Sequence, residues 1–146
     1  MYDRRQFLVL AGTGFMACTR ARAEIMHFTS PIIDDLSREP PLATICTSWR
    51  MFTDRVMGGV SDGRMSRELV AGRQAIRMRG DVSLENNGGF VQISLDLDPD
   101  GKAVDVSSWQ GLELDVFGNS ETYAMHLRTA DLSRPWQSYR QSFWAD

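Results

Sequence analysis

The sequence predicts an all-β fold, an antiparallel sandwich or barrel, because three observations agree. Beyond residue 23, apolar and polar residues alternate with the period of two that marks a half-buried strand. The alternating runs are short, and dipeptides that tolerate positive φ separate them. The helical crossovers that a parallel sheet requires have no counterpart in the pattern. At 146 residues the chain is short enough to form a single domain.

Each predicted strand has one apolar face. In the run 90–97, for example, Val91, Ile93 and Leu95 share a face opposite Gln92 and Ser94. The other runs are 49–52, 73–80, 112–116, 123–128 and 139–143, and a short strand is predicted at Ile32-Ile33. Turns are predicted at Asp62-Gly63, Asn87-Gly88, Asp100-Gly101 and Gly118-Asn119.

Residues 1–23 have the order of an export signal. Arg4 and Arg5 precede an apolar core from residue 7 to residue 18, and Ala21-Arg22-Ala23 provides a small-x-small cleavage pattern. The paired arginines resemble a twin-arginine signal. We therefore predict an exported, periplasmic protein of a bacterium whose mature chain, residues 24–146, begins at Glu24. The alternatives are a lipid anchor at Cys18, or an uncleaved chain associated with the membrane on its cytoplasmic side.

The charge of the chain excludes some partners. Removal of residues 1–23 takes away four arginines and one aspartate, so the net charge changes from −3 to −6. A chain this acidic, with Lys102 as its one lysine, is a poor partner for nucleic acid. No apolar stretch of the mature chain is long enough to span a membrane.

Two blocks rich in Gly, Asn and Asp stand out. They are Asp54-Arg55-Val56-Met57-Gly58-Gly59-Val60-Ser61 and Ser83-Leu84-Glu85-Asn86-Asn87-Gly88-Gly89-Phe90. The two blocks resemble a signature of the NADH:ubiquinone oxidoreductase intermediate-associated protein 30 family. Further residues continue the resemblance along the chain, with Trp49 before the first block and, after the second, Gly111-Leu112-Glu113-Leu114, Tyr123, Leu127-Arg128-Thr129, Trp136, Tyr139 and Phe143. The similarity covers roughly residues 32–144.

The resemblance implies a galactose-binding-like jelly-roll β-sandwich. It also implies a non-catalytic assembly factor for respiratory complex I, as in mitochondrial members of the family. Family domains usually continue beyond the region of Trp136 and Tyr139, so we expect this sandwich to lack its C-terminal strands. An exported protein does not meet complex I intermediates on the matrix or cytoplasmic side, so the role of bacterial relatives can differ.

Candidate binding residues lie in and near the two blocks. Asp54 and Arg55 can bind an anion or a partner, or Asp54 can bond backbone amides in a structural loop. The group Glu85, Asn86 and Asn87 can bind a sugar or calcium, or can form the tip of a hairpin. The remaining candidates are Arg128, on the face of His126, and Trp136, the tryptophan with the best prospect of exposure.

Three functions are consistent with these residues. The first is a binding or assembly module that contacts a protein partner, such as a membrane respiratory complex; the second is an exported carbohydrate-binding module. The third is a hydrolase that uses Glu85, His126 or Asp131, and it ranks last because no nucleophile motif supports a triad of Ser61, His126 and Asp131. We therefore predict no enzyme, no cofactor and no metal site.

Overall fold

The computed structural model describes residues 8–9, 27–134 and 136–146. Apart from Leu8–Val9, the predicted export signal lies outside the described residues. Within these ranges the chain forms strands and two short 3-10 turns, at Asp54–Met57 and Glu85–Asn87. The strands are β1 (Leu8–Val9), β2 (Arg50–Thr53), β3 (Asp62–Val70), β4 (Arg73–Asp81), β5 (Val91–Ser94), β6 (Leu112–Glu113), β7 (Glu121–Leu127) and β8 (Tyr139–Ala145).

The described strands associate in pairs. Strand β2 pairs with β5, β3 with β4 and β7 with β8, all antiparallel, and the two-residue strands β1 and β6 pair in parallel. Strand β2 also contacts β3, and β4 contacts β5, so these two pairs lie together. The prediction of an all-β fold built from antiparallel strands is confirmed, and the jelly-roll arrangement stays a prediction.

The hairpin of β3 and β4 differs from the sequence prediction. Asp62-Gly63 was predicted to be a turn, but these residues begin β3, a strand that the sequence analysis did not include. The turn lies instead at Ala71 and Gly72, whose φ values of 49° and 79° suit a two-residue hairpin between Val70 and Arg73. Asp-Gly satisfies the turn pattern, but strand pairing from Asp62 onward overrides this local preference.

The prediction of a hairpin tip at Asn87-Gly88 is also wrong. Strands β4 and β5 flank this segment, but each is paired to a different strand. Positive φ occurs one residue earlier than expected, at Asn86 (54°) and Asn87 (58°), within the second 3-10 turn. The segment therefore connects two strand pairs, and Asn tolerates the left-handed conformation that this connection needs.

Other predicted strands exist but are shorter. Strand β5 ends at Ser94, and β6 contains only Leu112–Glu113. Leu95 and Leu97 pack against the buried Phe28 and Ile33 without belonging to a described strand. Ile32 forms only an isolated bridge rather than a strand. An alternating pattern thus reports which side chains are buried, but not whether the backbone finds a pairing partner.

The C-terminal hairpin agrees with its predicted faces. Tyr123 lies opposite Phe143, and their rings stack with centroids 6.1 Å apart.

The main core lies elsewhere, around Phe28 and Ile33, with Ile45, Leu95, Leu97, Val104, Trp109 and Leu112 packed against them. None of the helices in the described part of the chain has the length and apolar character needed to cross a membrane.

Candidate interaction site

The two Gly-rich blocks meet at the side chain of Asp54. This residue opens the first 3-10 turn, where Thr53 is the N-cap, and it is completely buried. Its Oδ1 accepts a hydrogen bond from the backbone N–H of Ser61 at 2.9 Å. Its Oδ2 accepts from the N–H groups of Gly89, at 2.6 Å, and Phe90, at 3.4 Å, and from the hydroxyl of Ser61. One carboxylate therefore holds residues 54–61, the first loop, against residues 82–90, the second loop.

Ser61 makes a second connection between the loops. It is fully buried, and its Oγ accepts a hydrogen bond from the N–H of Ser83 at 2.9 Å. The backbone of Asp54 adds another, because its N–H donates to the carbonyl of Phe90 at 3.2 Å. The loops are thus joined by main-chain and side-chain bonds, and every donor around the carboxylate belongs to one of them.

The glycines allow this close approach. A Cβ on Gly59 would overlap the Asp54 side chain, whose Cβ would be only 2.8 Å away. A Cβ on Gly88 would overlap the same carboxylate and lie 2.9 Å from the carbonyl oxygen of Glu85. At these two positions the absence of a side chain, rather than unusual φ, explains the glycine.

The environment of Asp54 favours its charged form. Burial by itself raises the pKa of this carboxyl, but hydrogen bonds from the Ser61 hydroxyl and from the N–H groups of Gly89, Ser61 and Phe90 outweigh burial and lower the pKa below its usual value. Among the described residues, no basic side chain forms an ion pair with Asp54. The negative charge is therefore stabilised by backbone dipoles and one hydroxyl.

The outer surface of the two loops is apolar. Val56 (69% exposed), Met57 (65%) and Val60 extend from the first loop, and Val82 and Leu84 (81%) from the second. Val60 precedes Ser61, and Val82 and Leu84 flank Ser83, so the Ser61–Ser83 hydrogen bond brings the chain at Val60 close to the chain at Val82 and Leu84. We call these five residues the loop surface. Clusters of exposed apolar side chains on soluble proteins commonly mark interaction sites.

Polar candidates lie in the same two loops. Arg55 is mostly exposed; its Nε donates to the carbonyl of Ser61 at 2.9 Å, and its Nη2 lies 3.4 Å from Asp62. Glu85, Asn86 and Asn87 are exposed on the second 3-10 turn. The structure thus brings five of the seven predicted site residues to one region. Asp54 among them has no accessible surface, so it can act there only through the loops that it holds.

Arg128 and Trp136 lie outside the two loops. Arg128 is exposed directly after β7. Trp136, 74% exposed, lies before β8, with the guanidinium carbon of Arg134 at 5.6 Å from its ring centroid. The predicted exposure of Trp136 is confirmed. No described contact links these residues to Asp54.

The triad that can be drawn from the sequence does not assemble. Ser61 is committed to Asp54, whereas the Nδ1 of His126 lies 2.9 Å from the hydroxyl of Ser138. Asp131 instead accepts hydrogen bonds from the hydroxyls of Thr129 and Tyr139. Both bonds lower the pKa of Asp131, and the bond from Thr129 has the larger effect. In the described ranges there is no group of three or more His, Cys, Asp or Glu side chains that could hold a metal ion.

Sequence reasoning missed a second buried aspartate. Asp34 accepts hydrogen bonds from the indole N–H of Trp49 at 2.7 Å and from the N–H groups of Leu36 and Thr44, and it lies 3.4 Å from the guanidinium of Arg67. Its side chain is 1% exposed and that of Arg67 is 8% exposed. The Asp-Asp pair beside Ile32-Ile33 was a weak signal, because no Gly-rich block accompanies it in the sequence.

Fold and site together define the class of this protein: an all-β antiparallel domain whose two Gly-rich loops are fixed by a buried aspartate. The family model for complex I intermediate-associated protein 30 matches residues 39–146, and the chain belongs to that family. Both loops lie inside the matched range, and Asp34 lies just before it. Neither the curated proteins nor the solved structures gave a match. Family membership indicates a module associated with complex I assembly.

Proposed function

We propose that this chain is a non-catalytic protein-binding module that serves the assembly of respiratory complex I, and that it binds its partner through the loop surface. The observation that carries the proposal is the coincidence of two properties in one place. The two loops that contain the family signature hold the buried Asp54 and its hydrogen-bond donors. The same two loops present the exposed apolar side chains Val56, Met57 and Leu84.

A fixed apolar surface suits protein binding. Flexible loops lose conformational entropy when a partner orders them, and this loss weakens binding. The hydrogen bonds of Asp54 and Ser61 order these loops in advance. The two loops combine exposed apolar side chains with the polar Arg55, Glu85, Asn86 and Asn87, and this composition suits an interface with an apolar core and a polar rim.

The test is a pull-down of the tagged full-length chain from native membranes, with Leu84→Glu and Met57→Glu as the variants. Each places a charge on the loop surface, and we expect capture of complex I subunits or intermediates to fall at least about tenfold. The control is Leu69→Glu, which changes a leucine of similar exposure (66%) at the other end of β3. Equal capture by all variants, or no capture above background by a folded wild-type chain, would argue against the proposal.

The compartment determines which partner is available. The predicted export through the twin-arginine-like signal competes with the complex I role, and N-terminal sequencing and cell fractionation of the protein expressed with residues 1–23 decide between them. A periplasmic product that begins at Glu24 would favour partners in the envelope over complex I intermediates on the cytoplasmic side. An uncleaved product on the cytoplasmic side would remove the export proposal and make the complex I pull-down decisive.

The exposed Trp136 supports one alternative, an exported carbohydrate-binding module. Exposed tryptophans stack on sugar rings, and Trp136 is 74% exposed. Titration against a broad glycan panel should then show a heat signal that Trp136→Ala removes and Trp144→Ala keeps, since Trp144 is also exposed but lies on β8. Absence of any heat across the panel would eliminate this alternative.

A further inference from the structure

The β3–β4 hairpin has one covered face and one exposed face. Gly63 and Gly80 lie opposite each other on the covered face, where an added Cβ would approach Val91 to 2.8 Å and 2.9 Å, respectively. Because side chains alternate along a strand, Arg64 and Arg79, one residue away, lie on the other face. Both arginines are exposed, so a partner can reach this outer face.

Arg64 and Arg79 lie directly opposite each other in the antiparallel ladder. The Cβ atoms of opposite residues are about 4.5–5.5 Å apart, and like charges at such positions destabilise the strand pair. The side chain of neither arginine forms a hydrogen bond or an ion pair within the described part of the chain. An anion between the two guanidinium groups would relieve this repulsion.

Two other arginines of the same face already have acidic partners. The Nη1 of Arg77 lies 3.5 Å from Oε1 of Glu68, and the Nη2 of Arg73 lies 2.7 Å from Oδ2 of Asp115. We call Arg64 and Arg79 together the arginine pair. It differs from its neighbours in that two positive charges are adjacent and neither has an acidic partner among the described residues.

The next row of the ladder limits which anion fits. It consists of Asp62 and Asp81, which also lie opposite each other, on the side towards the two loops. These carboxylates repel a polyanion that extends over the row, such as nucleic acid or an anionic membrane. A single carboxylate between the guanidinium groups avoids them, and arginine binds carboxylates through two parallel N–H···O bonds.

We propose that the arginine pair binds a carboxylate side chain in an acidic segment of the partner polypeptide. The pair is three residues along the chain from Ser61 and from Val82, which is about 10 Å on an extended strand. One partner can therefore contact both the loop surface and the arginine pair. The inference rests on the proposed function as a protein-binding module, and it adds the chemistry of the partner, in which acidic residues lie near apolar ones.

The experiment titrates a defined acidic peptide, N-acetyl-Ser-Glu-Ser-Glu-Ser-amide, into the full-length chain. The readouts are the NMR signals of the guanidinium carbons of Arg64 and Arg79, assigned with Arg64→Gln and Arg79→Gln. Both signals should move together and saturate with a Kd on the order of 1 mM at low salt, and binding should weaken as salt is added. The same peptide with glutamine in place of both glutamates should move neither signal.

A matched pair of double variants locates the site. Arg64→Gln with Arg79→Gln should weaken binding of the acidic peptide at least about tenfold. Arg73→Gln with Arg140→Gln removes the same two positive charges from exposed positions elsewhere and should leave the affinity within about twofold.

Three results would overturn the inference. They are equal weakening in the two double variants, an equal response to the glutamine peptide, and a stronger response to oligothymidylate or phosphatidylserine vesicles at the same concentration of anionic groups. The last result would assign the arginine pair to nucleic acid or to a membrane instead of an acidic polypeptide.

The pull-down of complex I subunits separates this inference from the proposed function. Capture should fall in the double variant of the arginine pair and persist in its control. If Leu84→Glu loses capture while the variant of the arginine pair keeps it, the inference is wrong and the proposed function stands. If a folded wild-type chain captures nothing, the proposed function fails, whereas the peptide titration still decides whether the arginine pair binds carboxylates.

Discussion

The two buried aspartates of this domain are stabilised in different ways. Asp54 accepts hydrogen bonds from backbone N–H groups and one hydroxyl in the two loops that contain the family signature. Asp34 accepts a hydrogen bond from the indole N–H of Trp49 and lies beside the buried Arg67, which is 33 residues away in sequence. The first arrangement fixes a surface where two loops meet, with Gly89 35 residues from Asp54 in sequence. The second joins the segment before β2 to the centre of β3.

The comparison shows that a buried aspartate can be stabilised by uncharged donors alone, as Asp54 is, or partly by a buried cation, as Asp34 is. The backbone donors of Asp54 carry no full charge, so a change there leaves no unpaired cation. A change at Asp34 leaves Arg67 buried without its carboxylate, and the free energy of unfolding should reflect this difference.

The largest effect is expected for Asp34→Asn. Loss of the carboxylate leaves the buried guanidinium of Arg67 uncompensated, which typically costs about 3–5 kcal/mol. Urea unfolding measures the change. In the double variant Asp34→Asn with Arg67→Met the two losses should be clearly less than additive, and additive losses would show that the pair is not coupled.

A smaller effect is expected for Gly59→Ala. The new methyl group would overlap the Asp54 side chain, and overpacking of this kind costs about 1–3 kcal/mol. The same substitution in an Asp54→Ala background should cost less, because most of the overlapping atoms are gone. If Gly59→Ala costs the same in both backgrounds, the close approach of Gly59 to Asp54 is not the reason for the glycine.

The pH dependence distinguishes Asp54 from its neutral replacement. Because the pKa of Asp54 is lower in the folded chain than in the unfolded chain, its stabilising contribution is complete above the ordinary aspartate pKa of about 4 and is lost as pH falls through the folded pKa. The difference in free energy of unfolding between wild type and Asp54→Asn should therefore shrink as pH falls from 7 into this acidic range. A difference that stays constant down to full protonation would contradict the lowered pKa.

The smallest effect is expected at the surface. Arg73 and Asp115 form an ion pair at 2.7 Å, but the two side chains are 65% and 64% exposed. Asp115→Asn should therefore change the free energy of unfolding by only about 0–1 kcal/mol, and less at high salt. A loss as large as that of Asp34→Asn would mean that burial does not explain the contrast between these pairs.

Part of the fold and of the site could be predicted from the sequence. The alternating faces of β7 and β8 reflect a local preference, and the structure confirms the antiparallel strands that they predict. The identity of Asp54 as a candidate came from the two Gly-rich blocks. Its burial, and the exposure of Val56, Met57 and Leu84 around it, required the two loops to meet.

The sequence by itself determined the all-β class, the positions of most strands and the two loops, because φ tolerance and side-chain alternation act over a few residues. The tertiary structure decided which strands pair, that Asp62-Gly63 begins a strand and that Arg67 lies beside Asp34 and Trp49. These outcomes depend on contacts between residues far apart in sequence. Such contacts compete with local preference through burial and hydrogen bonding of the whole domain, and a local pattern does not contain that information.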